Sequence, residues 1–385
     1  MTDVIIASVG QTTVGEHWNL SLRDLAFQAI DAALKDAYGL FPQSLYVSNM
    51  LAPVLSQQSH LGVLIADYAG LGNIEAYTIE SGGASGGAAL RQAYLAIASG
   101  LVDVALVVGV EKFTDQLGTS AEAGLSAPLD SDYEAIHGLT PAAQLALLMR
   151  RYIYEYQVKH EDFACFPLIA HANGAGNPNA MYRKAIKKET YQKAGLVCDP
   201  LNLFDIAPEA DGAAALVLTR RDLVPSAPHD HYPTPLVRIS GSSMVCDTLA
   251  LHDRHSILEM PAIQLSVQQA CRQAGIMPKD VDFFELNDSA SIMAALSLEE
   301  AGFAERGKSL AYCQAGQGEL PILTMGGMKA RGNAGGASGI YQAVEAVLQL
   351  RGSAGQNQIP DAQRALIQCI GGPGSSVVTH VLERV

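Results

Sequence analysis

The sequence predicts a layered α/β fold made of two related halves. Three observations lead there. Short β-branched runs alternate with longer amphipathic segments in the order β-α-β-α-β-α-β. The pentapeptide Gly82-Gly83-Ala84-Ser85-Gly86 returns as Gly335-Gly336-Ala337-Ser338-Gly339. The chain has 385 residues, 49% hydrophobic and 17% charged, which excludes a disordered protein and suffices for a large core. At roughly 100–200 residues per domain, that length allows two domains or two fused copies of one.

Val4-Ile5-Ile6-Ala7-Ser8-Val9 reads as the first strand. A helix over about 22–37 follows, with Leu22, Leu25, Ala26, Ile30 and Leu34 on one face. Next come a strand at 45–47, a helix at 59–68, a strand at 76–79 and a helix at 85–99. Residues 104–110 are continuously apolar, as suits a strand covered on both faces. The second glycine-rich copy also opens a helix, ending at Arg351-Gly352 as the first ends at Ser99-Gly100. An apolar strand follows each, at 104–110 and 365–370. This shared order places the halves at 1–222 and 223–385, joined by the Pro-rich stretch 225–233. Residues of about 118–200, with weak β signal and several tyrosines, are expected to form a loop domain over the active-site face.

The net charge of −14 argues against nucleic-acid binding. No run of 18 apolar residues predicts a membrane span, and the N-terminus carries no export signal. The six cysteines are scattered, without metal-ligand spacing, and read as reduced thiols in a cytoplasmic protein. His252 and His255 flank Asp253-Arg254 without a third ligand nearby, so we expect no metal there. The run 182–193 is the densest basic segment; a solvated helix face is the plainer reading and a contact to an anionic ligand the sharper one.

Glycines before a helix admit positive φ and close approach of another chain. The helix N-terminus offers free N–H groups and the positive end of the dipole, a place for an oxyanion or a nucleophile. Glu285-Leu286-Asn287-Asp288 follows a strand at 281–284, and Cys369-Ile370-Gly371-Gly372 ends another. Strand C-terminal ends are where α/β folds place their chemistry.

Together these residues resemble the thiolase superfamily, above all its SCP2-type branch and the archaeal-type acetyl-CoA acetyltransferases. The likeness spans essentially the whole chain. It is carried by Val9-Gly10-Gln11-Thr12, Ile65-Ala66-Asp67-Tyr68-Ala69-Gly70-Leu71 and Ala89-Leu90-Arg91-Gln92. Gly109-Val110-Glu111-Lys112-Phe113-Thr114-Asp115, Asp211-Gly212-Ala213-Ala214, His252-Asp253-Arg254 and Gly326-Gly327-Met328-Lys329-Ala330-Arg331-Gly332 extend it. The resemblance implies a duplicated five-layered α-β-α-β-α thiolase fold, a coenzyme A thioester as substrate or ligand without a permanently bound cofactor, and a homodimer. It also implies an association with a small OB-fold, zinc-ribbon partner protein.

The departures fall on the family's catalytic positions. The nucleophilic cysteine of C-A-S-G corresponds to Gly83, which cannot form an acyl-enzyme. The G-H-P histidine corresponds to Asn333, which cannot take a proton near neutral pH. Asn287 stands where other thiolases have the asparagine of N-E-A-F, which holds a water in the oxyanion hole. Cys369-Ile370-Gly371 resembles C-x-G, whose cysteine is the acid/base for the substrate α-carbon. The resemblance therefore implies non-covalent Claisen or aldol-type chemistry. Cys369 would transfer the proton, Asn287 and Asn333 would position the carbonyl, and the Gly83 and Gly371 N–H groups would hold an oxyanion. The alternatives are a non-catalytic subunit or scaffold of an acyl-CoA complex, and ordinary acetyl-CoA acetyltransfer.

Overall fold

A computed structural model describes residues 3–37, 39–224, 235–314 and 320–385. The Pro-rich join at 225–233, with His229 and His231, lies outside the described residues.

The strands are β1 (Val4–Gln11), β2 (Ser44–Ser48), β3 (Glu75–Ile79), β4 (Val104–Glu111), β5 (Leu196–Cys198), β6 (Leu201–Asn202), β7 (Gly212–Arg220), β8 (Val237–Cys246), β9 (Phe283–Glu285), β10 (Arg364–Gly371) and β11 (Ser376–Arg384). All but β5 and β6 form one mixed sheet in the order β3-β2-β4-β7-β1-β8-β11-β10-β9. Its middle is thin: β1 and β8 share only the pairs Ile5–Arg238 and Ile6–Val237. Two half-sheets meet there, and their orders match. The first runs β3-β2-β4-β7-β1. The second runs β9-β10-β11-β8, with its missing outer strand reduced to a bridge between Phe284 and Ile322. The duplication suggested by the glycine repeat is thus visible in strand order.

Three apolar clusters separate the layers. One joins the helix Leu22–Lys35 to the outer face of the first half-sheet. That helix begins with a capping box between Ser21 and Asp24 and buries Leu22, Leu25, Ala26, Ala29, Ile30 and Ala33. The second cluster holds the helices Ser85–Ala98 and Ser338–Leu350 between the two half-sheets. The third packs the helices Pro261–Ala274 and Ser291–Glu300 on the far side. The layers are α-β-α-β-α. Covered on both faces, β4 buries all eight of its residues.

The two central helices touch at equivalent glycines of the repeat. A Cβ on Gly86 would lie 2.9 Å from the Gly339 Cα, so any side chain would force the helices apart. Gly82 and Gly335 are equivalent too, and both turn with positive φ, +55° and +47°.

The segment at 118–200, where little strand was expected, is largely helical. Its helices Pro141–Tyr156 and Cys165–Gly174 cover Ser291–Glu300, all ten of whose residues are buried. Only the short β5–β6 ribbon is strand. No helix among the described residues is long and apolar enough to cross a membrane.

Candidate functional site

The turn before helix Ser85–Ala98 is seated on the end of β10. A Cβ on Gly83 would lie 2.7 Å from the Ile370 carbonyl oxygen and 4.0 Å from the Gly371 Cα. A Cβ on Gly371 would meet the Ser81 carbonyl oxygen at 2.4 Å. Two backbones are in contact, and glycine on each side permits it. The structure therefore brings Gly83 and Gly371 together. Ser85 pins the turn: its Oγ accepts from the Ser81 N–H at 2.8 Å and donates to the Gly82 carbonyl at 2.6 Å.

Asn287 and Asn333 are joined by the extended stretch before β7. The Ala207 N–H donates to the Ser289 carbonyl at 2.9 Å, and the Asn333 N–H donates to the Pro208 carbonyl at 2.8 Å. Asn333 Oδ1 accepts from the Ser338 hydroxyl at 3.0 Å and the Gly335 N–H at 3.2 Å. Its Nδ2 donates toward Glu209 Oε2 at 3.3 Å. Asn287 Oδ1 accepts from the Ser289 hydroxyl at 2.8 Å and the Ser289 N–H at 3.2 Å. Both amide oxygens are occupied, which leaves Nδ2 as the polar group each has to spare; Asn287 as a whole is 4% exposed.

Cys369 is buried beneath the turn before helix Ser85–Ala98. Its thiol is wedged where the central helices cross, 2.7 Å from the place a Gly339 Cβ would take and 2.9 Å from that of Gly87. It donates to Gln342 Oε1 at 3.4 Å and is 2% exposed. Burial pushes its pKa up to about 12, which disfavours the thiolate an acid/base role needs. Its neighbours lead back to the asparagines: the Gln342 Nε2 donates to the Leu286 carbonyl at 3.1 Å, and Gly339 follows Ser338, whose hydroxyl bonds Asn333.

Beside the asparagines lies a cavity of about 1070 Å³, lined by Tyr182, Arg183, Lys184, Phe204, Pro208 and Lys329 among others. Arg183 and Lys184 come from the basic run at 182–193; both are exposed and stand outside any helix, at the cavity's edge. The buried Lys329 ammonium donates to the Asp205 carbonyl at 2.6 Å and the Phe204 carbonyl at 3.2 Å. Burial draws its pKa down to about 8. Among the described residues no group of His, Cys, Asp and Glu could hold a metal, and His252 pairs only with its exposed neighbour Asp253.

Sequence reasoning missed Glu209. It directly follows Pro208, which lines the cavity, and is half-buried. Burial raises its carboxyl to about 8, helped by the nearby negative charge of Glu111 and opposed by the Asn333 amide. The one signal available was an acidic residue in Ala207-Pro208-Glu209-Ala210, beside the more conspicuous Asp211-Gly212.

Two half-sheets around a pair of buried helices, with the helix starts seated at strand ends, define the thiolase fold. This chain belongs to the thiolase family. The family's N-terminal domain model matches residues 4–222, and the thiolase C-terminal domain-like model matches residues 243–384. The chain is 37% identical over 390 residues to an acetyl-CoA acetyltransferase of Methanothermobacter thermautotrophicus, covering 100% of both. It is 29% identical to a 17-hydroxy-3-oxo-4-pregnene-20-carboxyl-CoA lyase of Mycobacterium tuberculosis, over 97% of this chain and 98% of that one. The solved Ltp2–ChsH2(DUF35) aldolase is similar with a TM-score of 0.84 and 26% identity, over 99% of this chain and 98% of that one.

Proposed function

We propose that this protein binds an acyl-CoA thioester in the cavity and makes or breaks a carbon–carbon bond without an acyl-enzyme. The observation that carries this reading is Gly83. It occupies the place that the resemblance gives to the nucleophilic cysteine, and the Ile370 carbonyl fills the space of a side chain. Arg183 and Lys184 would face the CoA phosphates, with the thioester directed toward Asn287 and Asn333.

In the cleaving direction the substrate is a β-hydroxyacyl-CoA. Its hydroxyl loses a proton and the Cα–Cβ bond breaks, releasing an aldehyde or ketone. The bonding pair moves to Cα and into the thioester carbonyl as an enolate. The amide N–H groups of Asn287 and Asn333, with the N–H groups of the Gly83–Gly371 contact, would hold its oxygen. Cα then takes a proton. The lyase and the aldolase among the similar proteins support this class of reaction.

The name of the Methanothermobacter relative favours a second reading, acetyl transfer. Gly83 opposes it, because nothing at that position can carry an acyl group. The test offers β-hydroxyacyl-CoA and β-ketoacyl-CoA panels, with product detection by mass spectrometry. We expect cleavage of β-hydroxyacyl-CoA, no CoA-dependent thiolysis and no acyl adduct on the intact protein. Thiolysis with an adduct would overturn the proposal; binding without turnover of either class would favour the scaffold.

The homodimer belongs to the same proposal. The edge strand β3 is open, with Tyr77 45% exposed on it, and supports pairing with a second copy. The ChsH2(DUF35) chain in the similar aldolase supports a small partner protein here as well. The six cysteines are all free, which supports a reducing, cytoplasmic setting.

A further inference from the structure

We propose that Glu209 moves the proton to and from the α-carbon of the bound acyl thioester. This rests on the acyl-CoA reading above and supplies the group that reading lacks. Asn287 and Asn333 cannot take a proton near neutral pH, and Cys369 is sealed between the central helices.

Three carboxylates lie along this edge of the fold, and their partners separate them. Glu111 accepts from the Asn49 amide and the Met50 N–H at 2.8 Å each, the Gly336 N–H at 3.0 Å and the Leu51 N–H at 3.2 Å. Asp211 accepts from the N–H groups of His17, Phe113 and Thr114, from the Thr114 hydroxyl and from the Lys112 ammonium. Both are committed to holding the chain in place. Glu209 has a single amide donor, Asn333 Nδ2, at 3.3 and 3.5 Å. It is held in position, yet its oxygens keep unused lone pairs.

Its place is fixed from both sides. Pro208 and Ala207 before it line the cavity. Asn333 is zipped to the same stretch, accepting from the Ala210 N–H at 3.0 Å and donating to the Pro208 carbonyl at 2.8 Å. An enolate oxygen on Asn333 Nδ2 would therefore put its Cα beside the Glu209 carboxyl. The charged groups that act on that carboxyl are Glu111 on β4 and Glu122 on the helix Thr119–Leu125, both negative. With burial they hold it near neutrality, where a group both gives and takes protons readily.

The step balances. In the condensing sense, and in α-hydrogen exchange, the Cα–H bond breaks, the proton goes to a Glu209 oxygen, and the bonding pair enters the thioester carbonyl as an enolate. In the cleaving sense the Glu209 carboxylate takes the β-hydroxyl proton as the Cα–Cβ bond breaks, and the carboxyl so formed gives that proton to Cα of the enolate.

The test is exchange of the α-hydrogens of acetyl-CoA and propionyl-CoA in deuterated water, followed by mass spectrometry, with calorimetry of the same ligands. Wild type should exchange, faster as pH rises through about 8 and the carboxylate forms. Glu209→Gln should bind within about threefold of wild type and exchange roughly 100-fold or more slowly, the scale of a lost acid/base group. Glu209→Asp keeps the charge one carbon short and should give an intermediate rate; it decides the same point if the Gln variant does not fold. Equal exchange in wild type and Glu209→Gln overturns the assignment and leaves the acyl-CoA reading standing. Binding by wild type without exchange overturns it too, and absence of binding overturns both. Exchange that depends on Glu209, with no carbon–carbon cleavage of any substrate, supports the assignment and removes the bond-cleaving reading alone.

Discussion

At Gly83 a missing side chain is both a chemical and a steric statement. Restoring a cysteine would place its Cβ 2.7 Å from the Ile370 oxygen, an atom of the strand backbone that cannot swing aside. Gly83→Cys should lose roughly 1–3 kcal/mol of stability, the usual cost of overpacking. It should not gain thiolysis, because Asn333 cannot deprotonate the new thiol. A thermal melt and a thiolysis assay check both, and thiolase-like rates in this single variant would contradict the site drawn here. Glu111, Glu209 and Glu345 form a second residue-scale case, held by burial at about 7, 8 and 8. A carboxyl raised on folding binds its proton more tightly in the native state. Its contribution is full below the usual carboxylate range and lost as pH rises through 7 to 8. The melting temperature should fall between about pH 5 and pH 8. Glu209→Gln should flatten that fall, since it removes one of the three; an unchanged slope would mean Glu209 titrates normally.

The central helices carry the element-scale lesson. The repeated pentapeptide predicted two helix starts, and the structure supplies both. It could not show that they meet, because Gly86 and Gly339 are far apart in the chain and the contact has no local signature. With a Cβ on Gly86 lying 2.9 Å from the Gly339 Cα, Gly86→Ala should cost roughly 1–3 kcal/mol. A melt within error of wild type would mean the helices separate freely. The same crossing explains Cys369. Its motif at the end of β10 was legible; that the side chain points into the glycine crossing depends on two helices from different halves. The strands and helices of the first half sit close to their expected places because each has a clear hydrophobic period. The segment at 118–200 was read only as a loop domain, because its helices are covered by elements remote in sequence.

The whole molecule joins two half-sheets through a short β1–β8 seam and keeps β3 as an open edge. Sedimentation equilibrium should report twice 40.7 kDa. Replacing Tyr77 by Lys on the open edge should shift the protein toward monomer, as charge on an edge strand opposes pairing. A wild-type monomer across micromolar concentrations would remove the dimer from the proposal. The sequence alone determined the family, the layered duplicated fold, the glycine at position 83 and the asparagine at 333. These are matters of local periodicity and of motifs contiguous in the chain. Only the tertiary structure decided that Cys369 is sealed, that Arg183 and Lys184 face a cavity, and that Glu209 stands against Asn333. Burial, and the electrostatic field of groups distant in sequence, determine which side chains can do chemistry, and neither exists until the chain has packed.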